Sequence, residues 1–421
     1  MKNNLSPLAN SNTPLSPLKN SQFKWLLTSN FAFFFAMQAQ NVMRAWLAFK
    51  LTDSELALGV VMFAIAVPMF FLSPFGGMMA DRKDRRNLII IGQAAVFLID
   101  LLILILLQLD LLEFWHLLCS AAIIGSAFPF IMPARNAIVV NVVGKSNLER
   151  AMAINMGMVN LTRVLGPAAA GLLIDFAGAK HAYALGVSLF GIGLLFMTKV
   201  DSSKPSQDMK RLSPKDSIVE GFTYIKEHRL ILILLMFGLV PMFLAMPFQN
   251  LLVVFAEKVW DVGPRGFGFL GAAFGIGGFV GALWVAMIKD TYGHLKRMMI
   301  SVLAFGAALF LFSISPYFLL GLLLAFLANV FMSIFNTLNN TSIQLLIPDR
   351  VRGRITSFLM MSFSLPLLGT LPVAAVAEAF GAPFAVALAS ALVVLASLLF
   401  LGLSSSLRNM DKNVKEGRDL T

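Results

Sequence analysis

Residues 77–86 read GMMADRKDRR and form a short charged segment between two long apolar runs. The two runs cover about residues 57–79 and 87–109. A helix that crosses a membrane needs about 20 consecutive residues that are mostly apolar, so each run is long enough to span a bilayer. The sequence therefore predicts two spanning helices joined by a tight turn that carries four basic and two acidic side chains.

The whole chain has the composition of a membrane protein. Of its 421 residues, 58% are hydrophobic and 13% are charged, and the mean hydropathy is +0.80. Soluble domains carry about 25% charged residues, so most of this surface suits lipid rather than water. An outer-membrane barrel would show short segments of alternating hydrophobicity, and the long apolar runs of this chain do not fit that pattern.

Comparable apolar runs recur along the chain from Phe23 to Leu403. We place twelve of them at about residues 24–50, 57–79, 87–109, 114–140, 150–175, 181–199, 229–256, 265–288, 297–314, 317–346, 352–379 and 382–403. The predicted fold class is an all-α membrane protein with twelve transmembrane helices in two pseudo-symmetric six-helix bundles.

The basic residues indicate the orientation of the chain. With the N-terminus inside, the cytoplasmic segments hold 27 of the 33 Lys and Arg residues and the outer loops hold 4. This count assigns Arg135, near the end of span 4, to the cytoplasmic loop that follows. Because basic residues are retained on the cytoplasmic side, we expect a multi-pass protein of a bacterial-type inner membrane with both termini cytoplasmic. The net charge of +11 is then a topology signal rather than a nucleic-acid-binding surface.

Polar stretches divide the chain into five predicted regions. Residues 1–22 lack the apolar core of a signal peptide and are expected to form a disordered cytoplasmic tail. The other regions are an N-terminal bundle at 23–200, a cytoplasmic linker at 201–228, a C-terminal bundle at 229–404 and a cytoplasmic tail at 405–421. In the linker, Ile218, Phe222 and Ile225 recur at helical spacing, which predicts an amphipathic helix on the membrane surface.

The two halves carry similar charged turns. The loop after span 8 holds Lys289-Asp290 and Lys296-Arg297, as the loop after span 2 holds residues 81–86. Charged turns also follow span 4 and span 10. Two similar halves are typical of transporters in which one bundle rocks against the other around a site at the membrane midplane.

The segment at residues 77–86 resembles the loop 2–3 signature of the major facilitator superfamily, which has Gly, three residues, Asp, Arg, one residue, Gly and two basic residues. The matching positions are Gly77, Asp81, Arg82, Arg85 and Arg86, and Asp84 stands where the family usually has Gly. The resemblance implies a latch at these five positions that holds the two bundles in the outward-facing state. The alternative is a basic turn that only fixes topology.

Two further segments extend the resemblance. Residues 163–171 read RVLGPAAAG and resemble a degenerate span 5 motif of proton-coupled exporters, with Arg163, Gly166, Pro167 and Gly171 as its positions. Residues 347–354 read IPDRVRGR and resemble the loop 10–11 signature of enterobactin-exporter-like and macrolide-efflux-like transporters. The positions carried over from this second motif are Pro348, Asp349, Arg352, Gly353 and Arg354. A proline inside a helix removes a backbone hydrogen bond, so we expect a bend at Pro167.

In this superfamily, spans 1, 4, 7 and 10 line the central cavity, and here they carry amide and aromatic side chains. The candidate cavity residues are Gln38, Asn41, Arg44, Phe128, Phe243, Asn336 and Asn340. Asn329 and Asn339 can share one broad helix face with the last two. Because amides also hold helices together, each has a structural alternative. As a set with little charge they favour amphiphilic organic molecules over phosphorylated or strongly anionic ones.

Ionisable residues inside spans are costly and are functional candidates. Asp100 lies in the apolar run 96–107, where a carboxyl group could bind and release a proton, and Asp81 is the second proton-coupling candidate. A structural pairing or an interfacial position is the alternative for Asp100. Arg44 either lines the cavity or extends to the outer interface. Arg163 either pairs at the bundle interface or contacts substrate.

The sequence shows no sign of an enzyme, a metal site or a cofactor. Its one cysteine, Cys119, excludes a disulfide framework, and its four histidines have no metal-ligand spacing. The tripeptide at residues 144–146 lacks the Gly that a nucleotide-binding loop needs five residues earlier, where Val139 stands.

The predicted function is secondary active transport. We expect a proton-coupled exporter of amphiphilic small molecules, of drug or siderophore type, that works by alternating access. Its expected partners are the small-molecule substrate, protons and membrane lipid, without nucleic acid, and a monomer is expected. An importer of a small metabolite or nutrient on the same fold is the alternative.

Overall fold

The computed structural model describes residues 16–144, 147–203, 223–288, 293–347 and 365–411. The helices of the first half are α1 Ser21–Thr52, α2 Glu55–Arg82, α3 Arg85–Gln108, α4 Phe114–Val143, α5 Leu148–Ala177 and α6 Ala179–Thr198. Those of the second half are α7 Arg229–Val259, α8 Gly263–Met287, α9 His294–Ser313, α10 Phe318–Leu346, α11 Leu365–Phe380 and α12 Ala382–Leu403. A 3₁₀ turn at Ser16–Lys19 precedes α1, and the short helix α13, Ser405–Arg408, follows α12.

These helices correspond one to one with the twelve predicted spans. Ten helices in the described ranges are long and apolar enough to cross a membrane by length and composition. The other two are α1, which has 32 residues and many polar side chains, and α11, of which 16 residues are described. The all-α fold predicted from the apolar runs is confirmed.

The form of α7 differs from the continuous helix that the sequence predicted. It is α-helical over Arg229–Leu244 and Phe248–Val254 and π-helical over Phe255–Val259. Pro241 lies inside the first segment, and Pro247 immediately precedes the second. Proline lacks a backbone N–H and clashes with the preceding helical turn, so these two residues account for the interruption.

The two halves repeat the same tight turn before their last helix. Gly178 connects α5 to α6 with a φ of 86°, and Gly381 connects α11 to α12 with a φ of 89°. Residues with a Cβ rarely adopt this left-handed region, so glycine permits both turns. The structural repeat agrees with the repeat of charged turns seen in the sequence.

Each half packs mainly within itself. In the first half α2 packs on α4, and α1 packs on α5 and α6; in the second half α8 and α9 pack on α10. Two seams join the halves, one between α2 and α11 and the other between α5 and α8. The seams use corresponding helices of the two bundles, as expected for a pseudo-symmetric arrangement.

The molecule has two ends, which differ in their contacts. We call the end where α1 begins and α12 ends the terminal face, and the end where α1 ends and α2 begins the opposite face. Several predicted features lie outside the described residues, namely residues 1–15 of the first tail, residues 204–222 of the linker, the loop 10–11 motif at 348–354 and the last tail from residue 412.

Candidate functional site

The charged turn between α2 and α3 holds the terminal face of the first bundle together. Asp84 caps α3 by accepting a hydrogen bond from the backbone N–H of Asn87 at 3.3 Å. It also accepts the N–H of Ser203 at 3.3 Å and the hydroxyl of Ser202. Partial burial alone would raise the pKa of Asp84, but these hydrogen bonds outweigh it and hold the pKa below its usual value.

This contact set explains the departure of Asp84 from the family pattern. The residue has a φ of −60°, in the extended region, so the turn does not require glycine here. A carboxylate at this position instead supplies the helix cap and attaches the start of the linker to the turn.

Arg85 and Arg86 of the predicted latch bind backbone carbonyls within the first bundle. Arg85 donates to the carbonyls of Ala80 and Ala137 at 3.3 and 3.5 Å. Arg86 donates to the carbonyl of Thr198 at 2.5 Å. The two guanidinium groups therefore join the terminal ends of α2, α4 and α6.

The other latch residues make fewer contacts with the rest of the first bundle. They are Gly77, Asp81 and Arg82. The side chains of Asp81 and Arg82 are exposed and form no hydrogen bond or ion pair within the described part of the chain. A Cβ added at Gly77 would meet no atom within 4 Å, whereas one at Gly76 would collide with the carbonyl of Pro129 on α4. The close approach of α2 to α4 is thus made by Gly76 and not by Gly77, the glycine of the motif.

The span 5 motif lies at a crossing of three helices. Gly166 faces the Cβ of Gln38 and the backbone of α1. Gly171 faces Gly268 and the carbonyl of Pro264 on α8, and Pro167 packs against Gly271 of the same helix. These small residues let the two bundles approach at backbone distance.

Arg163 of the same motif does not form the predicted ion pair with any residue that the structure describes. Its side chain is exposed, and its backbone carbonyl lies against Gly275 of α8. It therefore lies at the α5–α8 seam, as expected, but its charge is left available.

Asp100 and Arg44 meet in a buried cluster inside the first bundle. Arg44 Nη2 lies 3.4 Å from Asp100 Oδ2, and both side chains are almost wholly buried. Asp100 Oδ1 also accepts the hydroxyls of Tyr183 at 2.9 Å and of Ser120 at 3.3 Å. The cluster joins α1, α3, α4 and α6, so Arg44 neither extends to the interface nor lines an open cavity.

The remaining cavity candidates differ in their surroundings. Gln38, Phe128 and Asn336 are half-buried, and Asn41, Phe243 and Asn340 are exposed. Asn41 accepts a hydrogen bond from Arg44 Nη1 at 3.2 Å, and the backbone of Phe243 packs against Gly369.

The four asparagines of α10 do not share one environment. Asn329 is buried and donates to the carbonyl of Phe274 on α8 at 2.5 Å. Asn339 is buried against Gly238 of α7. Asn336 and Asn340 are the more open pair, so the broad polar face predicted for α10 is reduced to these two.

Charged residues connect the two bundles at the opposite face. Lys50 of α1 donates to Glu257 of α7 at 2.5 Å, and Lys258 forms ion pairs with Asp53 and Glu55 at 3.3 and 3.0 Å. We call these contacts, together with those of Glu378 described next, the outer clasp.

Glu378 of α11 completes the outer clasp on the second seam. One of its carboxylate oxygens accepts the Ser54 hydroxyl and the Leu56 backbone N–H, both at 3.0 Å. The positive end of the α2 helix dipole favours a carboxylate at this place. The hydrogen bonds described here between the two bundles all lie at the opposite face.

Arg135 is a charged residue that the count of basic residues places in the loop after span 4. It lies within α4, eight residues before the helix ends at Val143, and it is 2% exposed. Its Nη1 donates to Asn30 Oδ1 of α1, while its guanidinium carbon lies 4.4 Å from the ring centroid of Phe33. The feature of the sequence that indicates a buried position for Arg135 is its place in an apolar helix, after Pro133.

Comparison with known proteins places the chain in a family. Residues 12–419 match the family described as "Transmembrane secretion effector", which is part of the major facilitator superfamily. The chain belongs to this family. It is therefore a multi-pass inner-membrane transporter and not an enzyme, and the resemblance drawn from residues 77–86, 163–171 and 347–354 is confirmed at family level.

Two relatives have named substrates. The chain is 25% identical over 365 residues to the staphyloferrin A transporter of Staphylococcus aureus (strain NCTC 8325 / PS 47), covering 85% of this chain and 90% of that protein. It is 28% identical over 310 residues to the enterobactin exporter EntS of Escherichia coli O1:K1 / APEC, covering 72% and 73%.

Solved structures share the fold at lower identity. The nucleoside transporter NupG superimposes with a TM-score of 0.75 at 15% identity, covering 91% of this chain and 98% of that one. A bacterial homologue of the human lysosomal transporter Spinster superimposes with a TM-score of 0.67 at 14% identity, covering 94% and 97%. The major facilitator fold is thereby shown.

Proposed function

We propose that the protein exports an amphiphilic organic molecule of the siderophore class, driven by protons entering the cell. The observation that supports export is the relationship to an enterobactin exporter across most of both chains. The half-buried amide and aromatic residues Gln38, Phe128 and Asn336 supply hydrogen bonds and apolar contact, which suit a molecule with both kinds of surface. The same fold can host import, so direction needs its own measurement.

Alternating access is the mechanism that these contacts favour. The outer clasp closes the opposite face, while Asp81 and Arg82 of the latch are exposed at the terminal face. With the termini in the cytoplasm, as the basic residues indicate, we assign this clasped conformer to the cytoplasm-facing state of the cycle. Export would then begin in this conformer and proceed when the clasp opens and the latch forms.

Transport in membrane vesicles tests the proposal. In everted vesicles with an acidic interior, we expect accumulation of enterobactin or staphyloferrin A at least about tenfold above vesicles without the protein. A protonophore should abolish the accumulation, because the gradient supplies the free energy. Accumulation that persists without the gradient would exclude proton coupling, and uptake into right-side-out vesicles would favour the import alternative.

Replacing Asp81 by Ala is expected to lower the transport rate about tenfold or more while the protein still inserts. The reason is that Asp81 would stabilise the outward-facing conformer. In the conformer described here its side chain is exposed and makes no stabilising contact with another described residue. The initial rate in vesicles, normalised to folded protein, measures the effect. Lys83→Ala is the matched control, since Lys83 is an exposed residue of the same turn outside the predicted latch. A wild-type rate in the Asp81 variant would refute the latch.

A further inference from the structure

Arg135 is a buried cation without a matching anion. Its Nη1 is bound to the neutral amide of Asn30, whereas Nε and Nη2 have no hydrogen-bond partner in the described structure although both are shielded from solvent. The other buried arginine of this bundle, Arg44, has Asp100 as its counter-charge. A buried charge that lacks a partner is costly, so a membrane protein that keeps one has a use for it.

The acidic side chains of the first bundle do not supply the missing partner in the described structure. Asp100 is engaged by Arg44, and Glu55 by Lys258 at the opposite face. Asp81 and Asp175 are exposed, and neither lies within ion-pair distance of Arg135. The counter-charge of Arg135 is therefore not supplied by any described acidic side chain of this bundle, which leaves the site open to an external anion.

The two vacant donors have a defined geometry. Nε and Nη2 lie on the same edge of the planar guanidinium, so their N–H bonds are parallel and match two oxygens held side by side. Carboxylate, hydroxamate and catecholate groups all present such an oxygen pair. The rings of Phe33 and Phe34 lie 4.4 and 5.9 Å from the guanidinium carbon and provide an apolar surface beside the charge.

A hydrogen-bonded pair of asparagines connects this site to α5. Asn30 donates to Asn155 Oδ1 at 2.7 Å, and Asn155 reaches the edge of the buried region at 9% exposure. Arg135 lies eight residues from the terminal end of α4, which corresponds to a depth of about 12 Å at 1.5 Å per residue. Asn155 lies seven residues from the start of α5 at Leu148, so it is at a similar depth from the same face.

We propose that Arg135, through Nε and Nη2, binds a paired-oxygen anionic group of the transported molecule. The inference rests on the proposed function in that it names a chemical class for the same substrate. It also revises the expectation that the cavity disfavours anions, since that expectation was based on residues that did not include Arg135.

Binding without transport tests the site directly. The purified full-length protein in nanodiscs would be titrated with benzoate and with benzamide, which share their shape but differ in charge, and thermal unfolding would report binding. We expect benzoate to raise the unfolding midpoint and benzamide to have at least about tenfold weaker effect. Arg135→Gln should weaken benzoate binding about tenfold or more, because both charge-assisted hydrogen bonds are lost.

Two further variants keep the result decisive. Arg135→Lys retains the charge but not the paired donors, so it should bind benzoate several-fold more weakly than the wild type even if the Gln variant does not fold. Arg265→Gln removes an exposed arginine of α8 and should leave the response unchanged. Equal effects of benzoate and benzamide, or full benzoate binding in the Gln and Lys variants, would overturn the proposal. Loss of gradient-driven export with intact, Arg135-dependent benzoate binding would instead count against the proposed function alone.

Discussion

Replacing Asp100 by Asn is expected to lower the free energy of unfolding by about 3–5 kcal/mol, the cost of leaving one partner of a buried ion pair unmatched. Asn can still accept the hydroxyls of Tyr183 and Ser120, so the loss reflects the missing charge opposite Arg44. The midpoint of thermal unfolding and the yield of folded protein measure it. Wild-type stability in this variant would mean that Arg44 finds another counter-charge.

A double replacement tests whether the loss of stability comes from the unmatched charge of Arg44. Arg44→Met combined with Asp100→Leu should lose less stability than Asp100→Asn alone, because no charge is then left buried. Asp110→Asn is the control for an exposed pair, since Asp110 meets Lys180 at 2.8 Å in contact with solvent, and it should change stability by less than about 1 kcal/mol. In the fraction of Asp100→Asn that folds, an unchanged pH dependence of transport would remove Asp100 as the proton carrier.

The helices could be predicted from the sequence because each apolar run must satisfy its own backbone hydrogen bonds in lipid. The break in α7 was harder to predict, because Pro241 and Pro247 lie in a run that is otherwise as apolar as the others. Gly76 and Gly77 are adjacent, and a motif pattern cannot tell which of the two faces α4. The answer depends on the rotation of α2, which tertiary packing sets.

Contacts between residues that are far apart along the chain could not be predicted from the sequence. Arg44 and Asp100 are 56 positions apart, and each was interpreted separately as a candidate site. Glu257 and Glu378 lie at helix ends, where charged residues are ordinary, so the outer clasp had no signature. Arg135 was counted as a loop charge because span ends are uncertain by several residues, and α4 continues to Val143.

The outer clasp should set the balance between the two conformers of the transport cycle. Replacing Glu257 by Gln removes the ion pair with Lys50. Replacing Glu378 by Gln as well weakens the contacts to Ser54 and to the N-terminus of α2. Partly exposed pairs contribute up to about 1 kcal/mol each. A joint loss of about 2 kcal/mol shifts the equilibrium toward the conformer that is open at the opposite face by about thirty-fold.

A single cysteine can report this shift. With Cys119 replaced by Ser, Ala374→Cys places a thiol in the α2–α11 seam, where Ala374 is buried beside Gly59. A membrane-impermeant maleimide added from the opposite face should label it about thirty times faster in the Glu257→Gln, Glu378→Gln background, since labelling requires the seam to open.

Two other variants serve as controls for this labelling rate. Asp110→Asn, at the same face but within one bundle, should not change the rate. Asp81→Ala should slow labelling, because losing the latch favours the clasped conformer. Equal rates in the wild type and in the Glu257→Gln, Glu378→Gln background would show that other contacts, such as the ion pairs of Lys258, hold this face closed.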